Sequence, residues 1–366
     1  MPKKIVIVGA GPIGCYTARI LKTYGFSPLI VEEHGEVGRP VHCTGLVGEK
    51  VFSERRPVKL PLSAIINTIN GAVIHLDGQS FTIRRKVVAY VIDREKFDKG
   101  LSQGLNILYH NKFLGFEKAK SGYVLSTDKD NIPADIVIGA DGANSALRRI
   151  IGQDMGIRHF KGVQLRLRTG VRHEDLVDTF LRRPSFFWIV PEGEGIVRLG
   201  TISDNPFRDL DSFMKEKPVK GEVLERFGGV VSIGICGNTV KDNVALVGDA
   251  ACQMKPLSYG GIYFGLRSAE ILAACIRDSR LHQYDALWKQ KLAPEIRMGL
   301  KAKDIYANLS DDELKIIFKL LRSQKDMIEK VGDFESHSQM LLALIKKPQL
   351  YSQFGKALQI IIKKLL

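Results

Sequence analysis

Hydrophobic residues fall into two spacings along this chain. Ile5–Val8, Leu29–Val31, Ile136–Ile138 and Val244–Val247 are short unbroken apolar runs, each leading to glycine or an acidic residue. Runs of that length and composition predict buried strands. Helical spacing follows two of them, from Pro12 to Leu21 and from Ile262 to Ile276. Elsewhere the runs are shorter. Ile69–Leu76 and Phe81–Ile83 flank Asp77-Gly78, a hairpin signature. Ile107 to Leu125 holds further strands, and Asp93 and Ser145 stand where helix N-caps are expected. Val163–Arg168, Ser185–Val190, Ile196–Ile202 and Val230–Ile235 predict an antiparallel sheet, with a turn at Glu192-Gly193-Glu194-Gly195 joining its middle strands. Beyond residue 280 the pattern is helical: His282–Lys291, Pro294–Asn308, and a helix to Val331 that opens on Ser310 with three acids in its first turn. The last segment, Gln339–Leu366, carries five lysines and no acid.

Composition changes this picture little. The chain has 366 residues, 45% of them hydrophobic, enough for a large core divided over two or three domains. No apolar run approaches the roughly 18 residues that a spanning helix needs. Met1-Pro2-Lys3-Lys4 leads straight into the first strand, without a signal-peptide cleavage site, so a cytosolic location is expected. Five scattered cysteines with no CxxC pair suggest neither a disulfide framework nor a metal site. The net charge of +14, from 54 Lys and Arg against 40 Asp and Glu, suits an anionic lipid surface or an acidic partner, or serves solubility alone. No nucleic-acid-binding motif accompanies it, so nucleic acid is set aside.

The chemistry lies in the glycine-rich turns. Gly9-Ala10-Gly11-Pro12-Ile13-Gly14 sits between a strand and a helix, as in a βαβ dinucleotide site. There Gly9 makes the turn, Gly11 admits a pyrophosphate and Gly14 lets helix and strand pack. Glu32 follows Gly14 by 18 residues, near the ~20 expected for a carboxylate that binds an adenosine ribose diol. A carboxylate there repels a 2′-phosphate, which leaves FAD or NAD and excludes NADP. Arg94, one residue into its helix, is either a solvated charge or a cation laid against the nucleotide. Gly139-Ala140-Asp141-Gly142-Ala143-Asn144-Ser145 repeats the strand, turn and helix-start order. Gly248-Asp249-Ala250-Ala251 and Gly260-Gly261-Ile262 do so a third time, with Asp249 at a strand end and the glycine pair at a helix N-terminus, whose free N–H groups suit an electron-rich edge.

GxGxxG, then GADGxxSxxR, then GDAA resembles, in that order, the flavoprotein hydroxylase-like class of FAD oxidoreductases. The resemblance spans residues 1 to about 290, nearly four-fifths of the chain. It implies that FAD is the cofactor, with Gly9, Gly11, Pro12, Ile13, Gly14 and Glu32 on its ADP half. It also puts Arg94 near the cofactor, Asp249 at the ribityl-phosphate region, and Gly260, Gly261 and Ile262 at the isoalloxazine edge. Within that class, Pro40-Val41-His42-Cys43-Thr44-Gly45 is similar to the PxxCxG loop of geranylgeranyl reductases, and Lys255-Pro256 through Gly260-Gly261-Ile262-Tyr263 to their KPxxxGGIYxG segment. The family's loop lies over the flavin, which implies cofactor contacts for Cys43, Thr44 and Leu46. The family's YxWxFP motif reads Phe186-Phe187-Trp188-Ile189-Val190-Pro191 here. Trp188 and Pro191 match, and Phe186 lacks the motif's hydroxyl. As alternate strand residues, Phe186 and Trp188 share a face, and serve either core packing or an apolar pocket wall.

The expected architecture is α/β: a Rossmann-like FAD-binding domain with an antiparallel-sheet substrate domain and a C-terminal helical segment. The FAD-binding domain takes 1–60, 86–155 and 238–290, the substrate domain 61–85 and 156–237, and the helical region 291–366. The resemblance implies reduction of isolated C=C bonds in a polyprenyl lipid, with electrons from an external donor: ferredoxin, a deazaflavin or a nicotinamide. Cys43 is the candidate catalytic residue. With a thiol pKa of about 8.5 it is too weak to protonate an alkene unaided, so positioning substrate or excluding water stands beside that role. A flavin monooxygenase and a non-catalytic FAD- or lipid-binding protein are the competing readings. Residues 350–366 place Leu350, Phe354, Leu358, Ile361 and Leu365 on one helical face, a candidate for peripheral membrane contact or for packing on the chain itself.

Overall fold

The computed structural model describes residues 3–170, 173–217, 219–336 and 338. A six-stranded sheet runs in the order Val240–Lys241, Val244–Leu246, Ile136–Gly139, Ile5–Val8, Leu29–Val31, Asn106–Leu108. All its pairings are parallel except that of the two-residue edge strand. Every residue of Ile5–Val8 and Ile136–Gly139 is buried, because both faces are covered. Ile5, Ile7, Ile136 and Ile138 meet the helices Pro12–Thr23 and Ile262–Arg277, while Val6, Val8 and Val137 meet a three-stranded antiparallel sheet through Tyr123, Leu125 and Ile132. The unbroken apolar runs are thus period-two strands with two apolar faces.

An eight-stranded sheet runs in the order Glu222–Ile233, Arg158–Arg168, Ile196–Ser203, Ser185–Gly193, Val177–Arg182, Ile65–Leu76, Gln79–Ile92, Leu46–Gly48. It is antiparallel except where Val177–Arg182 pairs in parallel with Ile65–Leu76, a strand whose own pattern does not announce it. Trp188 lies opposite Gly200, where a Cβ would come within 2.5 Å of the indole. That glycine makes room for the ring.

Asp93, Ser145 and Ser310 each cap a helix by accepting a backbone N–H, and Ser310 forms a full capping box with Glu313. One expectation fails at Pro294. A single helix, Tyr284–Ala307, runs through it. Proline removes one helical hydrogen bond, and the buried Trp288, Ala293 and Ile296 on either side hold the rod together through tertiary packing. Two expected domain boundaries also fall inside continuous elements, 85/86 within the strand Gln79–Ile92 and 290/291 within this helix. Among the described residues no helix is long and apolar enough to cross a membrane. Residues 350–366 lie outside the described residues.

Candidate active site

A cavity of about 1090 Å³ opens between the carboxyl edge of the parallel sheet and one face of the eight-stranded sheet. The first glycine turn forms one end. Gly9 has φ +98°, and a Cβ on it would lie 2.6 Å from the Ala140 carbonyl oxygen. Gly14 is tighter still, 2.1 Å from the carbonyl oxygen of Gly9. It does not reach the cavity wall, and its smallness serves the strand–helix contact. Gly11 is different. It lines the cavity, yet among the described residues nothing lies within 4 Å of where its Cβ would be. Open ground therefore stands before the N-terminus of Pro12–Thr23, where unpaired N–H groups and the dipole favour a phosphate. Pro12 and Ile13 line the same end.

Glu32 ends the second strand beside this turn, 9% exposed. Its Oε2 accepts the Ala10 N–H at 2.7 Å and its Oε1 the His34 N–H at 3.0 Å. The carboxylate is held at the wall with its orientation set by the backbone.

Arg94 is not a solvated charge. It forks onto Asp98 at 3.2 and 2.9 Å on the cavity wall. Burial alone would lower its pKa, but Asp98 and the neighbouring Cys43 thiol outweigh this and hold the guanidinium firmly protonated. Asp249 lies opposite on the Gly248–Ala251 turn, its carboxyl pushed upward by burial against the pull of Arg94 and Arg148. A Cβ at Gly261 would come within 2.4 Å of Asp249 Oδ1, so the glycine pair and the acid form one surface, which Gly260 and Ile262 continue.

Arg148, whose role the sequence reading left open, explains the last letter of GADGxxSxxR. Its side chain is fully buried and donates to the carbonyls of Ala143 at 2.7 Å and Ala250 at 3.1 Å, and to Asp154 at 2.8 Å. It ties the second glycine turn to the third.

The Cys43 loop crosses to the eight-stranded sheet, which Leu46 enters as the first residue of its edge strand. Cys43 Sγ accepts the Gly45 N–H at 3.3 Å. Thr44 donates to Gln164 Oε1 at 2.7 Å, and the Trp188 indole N–H donates to the same oxygen at 3.1 Å. Gln164 was missed by the sequence reading, and its one signal is a polar residue between Val163 and Leu165 on a strand. It couples the loop to the tryptophan.

Phe186 and Trp188 face the cavity with ring centroids 5.8 Å apart, while Phe187 turns into the core against Phe213. Phe186 stacks on Tyr259 at 6.3 Å. Pro191 does not reach the wall. It pairs with Val197 in the sheet, and its carbonyl accepts from Asn67.

From the tryptophan the cavity continues past Ile69, Ile74, Ile83, Val177, Leu181 and Ile328. Residues 332–335 close its flank. Lys255 and Glu335 form an ion pair at 2.8 Å, each 4% exposed, and Glu335 also accepts the Gly48 N–H at 3.0 Å. Burial depresses the Lys255 ammonium, and Glu335 counters part of that.

No protein-family model matches the chain. It is 32% identical to an uncharacterized protein of Methanocaldococcus jannaschii, over 93% of this chain and 94% of the relative. It is 26% identical to the digeranylgeranylglycerophospholipid reductase of Methanothrix thermoacetophila, over 87% of this chain and 91% of that one. The crystal structure of a geranylgeranyl bacteriochlorophyll reductase-like protein from Thermoplasma acidophilum superposes with a TM-score of 0.81, at 24% identity over 97% of this chain and 99% of the other. The chain belongs to the geranylgeranyl reductase family. The fold of this geranylgeranyl reductase family member is that of flavoprotein oxidoreductases. A Klebsiella pneumoniae protein solved with FAD and uric acid shares it at a TM-score of 0.70 and 15% identity, over 95% of this chain and 98% of that one.

Proposed function

We propose that this protein is an FAD-dependent reductase that saturates isolated C=C bonds in geranylgeranyl chains of archaeal-type membrane lipid precursors. One observation carries the reading: a single cavity joins the open ground above Gly11 to an apolar passage walled by Phe186 and Trp188. A dinucleotide needs the first feature and a polyprenyl chain the second. The names of the curated relatives support the same substrate class.

In this reading Gly11, Pro12 and Ile13 receive the pyrophosphate and Glu32 the ribose. Asp249 and Arg94 flank the ribityl phosphate, and the N–H groups at Gly260, Gly261 and Ile262 meet the ring edge. Bound and reduced, FAD supplies a hydride. The residues around the alkene orient it and stabilise the charge that develops. An unactivated double bond accepts hydride poorly, so protonation leads or accompanies transfer and positive charge builds on the more substituted carbon. The faces of Trp188 and Phe186 stabilise it by cation–π attraction, worth about 2 kcal/mol in a dry site. Gln164 holds the indole in place from behind. Cys43, next to Arg94, excludes water and orients the chain. The strand-rich layer is the substrate domain, and the parallel sheet with its helices the FAD domain.

The test is anaerobic. The FAD-loaded protein is reduced, a geranylgeranyl lipid is added, and flavin absorbance and lipid mass are followed. Reoxidation with a product heavier by one pair of hydrogens per bond is the expected result. Reoxidation only when oxygen is admitted, with an oxygenated product, assigns a monooxygenase, and no reoxidation a binding protein. Trials with reduced ferredoxin, a reduced deazaflavin and a reduced nicotinamide identify the donor class.

A further inference from the structure

A buried ammonium ordinarily has a carboxylate beside it. Lys303, on the helix Tyr284–Ala307, does not. It is 7% exposed, and among the described residues no carboxylate stands within 4.0 Å of its Nζ. The Nζ lies instead over the rings of Phe160 at 4.6 Å and Tyr259 at 4.5 Å, and donates to the Tyr259 hydroxyl. Asp304, the adjacent acid, is taken by Arg158 at 2.5 Å. Lys303 and Tyr259 both line the cavity, and Tyr259 stacks on Phe186. A cation with no paired carboxylate thus sits one aromatic ring from the place where the proposed reaction builds positive charge. Left unpaired it opposes that reaction, and an anion brought by the substrate would cancel it.

We propose that Lys303, with the Tyr259 hydroxyl beside it, is the subsite for a phosphate on the substrate, so that the cavity selects phosphorylated polyprenyl chains over neutral ones. The inference rests on the polyprenyl reading above. The phosphate can belong to a glycerophospholipid headgroup or to a free prenyl phosphate.

Burial, reinforced by Arg158, lowers the Lys303 ammonium to about 8. The other charged groups facing it are Asp304 and Asp204, and Tyr259 is raised by burial and stays neutral. The cation is present below pH 8 and lost above it. A bound phosphate favours the protonated form, so the selectivity is full near pH 7 and fades toward pH 9.

The test is calorimetric titration of the FAD-loaded protein with geranylgeraniol, geranylgeranyl monophosphate and digeranylgeranylglyceryl phosphate. Expected is binding of the phosphorylated ligands about tenfold or more tighter than the alcohol at pH 7. That advantage shrinks at pH 9 and disappears in Lys303→Gln. Lys303→Gln leaves alcohol binding, FAD affinity and the flavin spectrum unchanged, and whichever phosphate gains more names the source. Arg85, another cation that lines the cavity and donates to the Gly332 carbonyl, is the control, and Arg85→Gln keeps the advantage. Equal affinity for alcohol and phosphates overturns the inference and leaves the polyprenyl reading standing. So does loss of the advantage in Arg85→Gln alone, or a shifted flavin spectrum in Lys303→Gln. Failure to bind any of the three overturns both.

Discussion

Replacing Gly11 or Gly14 by alanine separates a cost paid in binding from one paid in folding. At Gly11 the backbone has φ −65° and ψ 176°, ordinary for any L-residue, and a Cβ meets nothing within 4 Å among the described residues. Gly11→Ala therefore leaves the apo protein as stable as before, or firmer by about 0.4–1 kcal/mol through the unfolded chain. The methyl, however, fills the ground proposed for the pyrophosphate. Displacing one or two charge-assisted hydrogen bonds of about 1.5–3 kcal/mol each weakens FAD by roughly 100-fold. At Gly14 the methyl would lie 2.1 Å from a backbone oxygen that cannot move without breaking the turn. Gly14→Ala costs on the order of 3 kcal/mol in stability whether or not cofactor is bound. Thermal melting of the apo variants and FAD titration of whichever fold provide the readout. Wild-type FAD affinity in Gly11→Ala would refute the argument that this space is a phosphate site.

Three further outcomes are expected. Trp188→Phe removes the indole N–H that meets Gln164 and lowers turnover about tenfold, while Cys43→Ala lowers it through water access; full turnover with normal flavin content in both variants removes these assignments. Lys303→Met is more stable than wild type at pH 7 by about 1–2 kcal/mol, after discounting a shift from 10.5 to about 8 for solvent at the cavity wall. The unfolded state binds the extra proton between those values, so wild-type stability rises over pH 8–10.5 and the gap closes; a pH-independent gap in chemical denaturation counts against it. Arg148→Met takes the guanidinium from the carbonyls of Ala143, Asp249 and Ala250 and from Asp154, and destabilises the protein by about 2–3 kcal/mol, with loss of bound flavin, measured by urea unfolding and the flavin-to-protein absorbance ratio.

What could be read from the chain alone is what local chemistry specifies. The turn glycines, Glu32 at its strand end and the Ser310 capping box are each set by residues within one supersecondary unit, and each stands where its spacing puts it. Phe186 and Trp188 were legible as a pair because strand periodicity places alternate side chains on one face, though not which face. Gln164, Arg148 and Lys303 were not legible. Gln164 matters through Thr44 and Trp188, 120 and 24 residues away, and Arg148 through Ala250, 102 residues away. Lys303 carries no local mark, since its helix also bears lysines that face water. The break expected at Pro294 failed for the same reason: proline propensity is local, and the burial that overrides it within Tyr284–Ala307 is not.

The bond between Gly48 and Glu335 spans 287 residues. The flank of the apolar passage is therefore completed only after residue 335 of a growing chain has been made. Until Glu335 has emerged from the ribosome, Lys255 lacks the carboxylate that pairs with it and the passage lies open along its flank. A nascent chain stalled short of this point would display that apolar lining to chaperones, and deletions that trespass on residues 332–335 would make the exposure permanent.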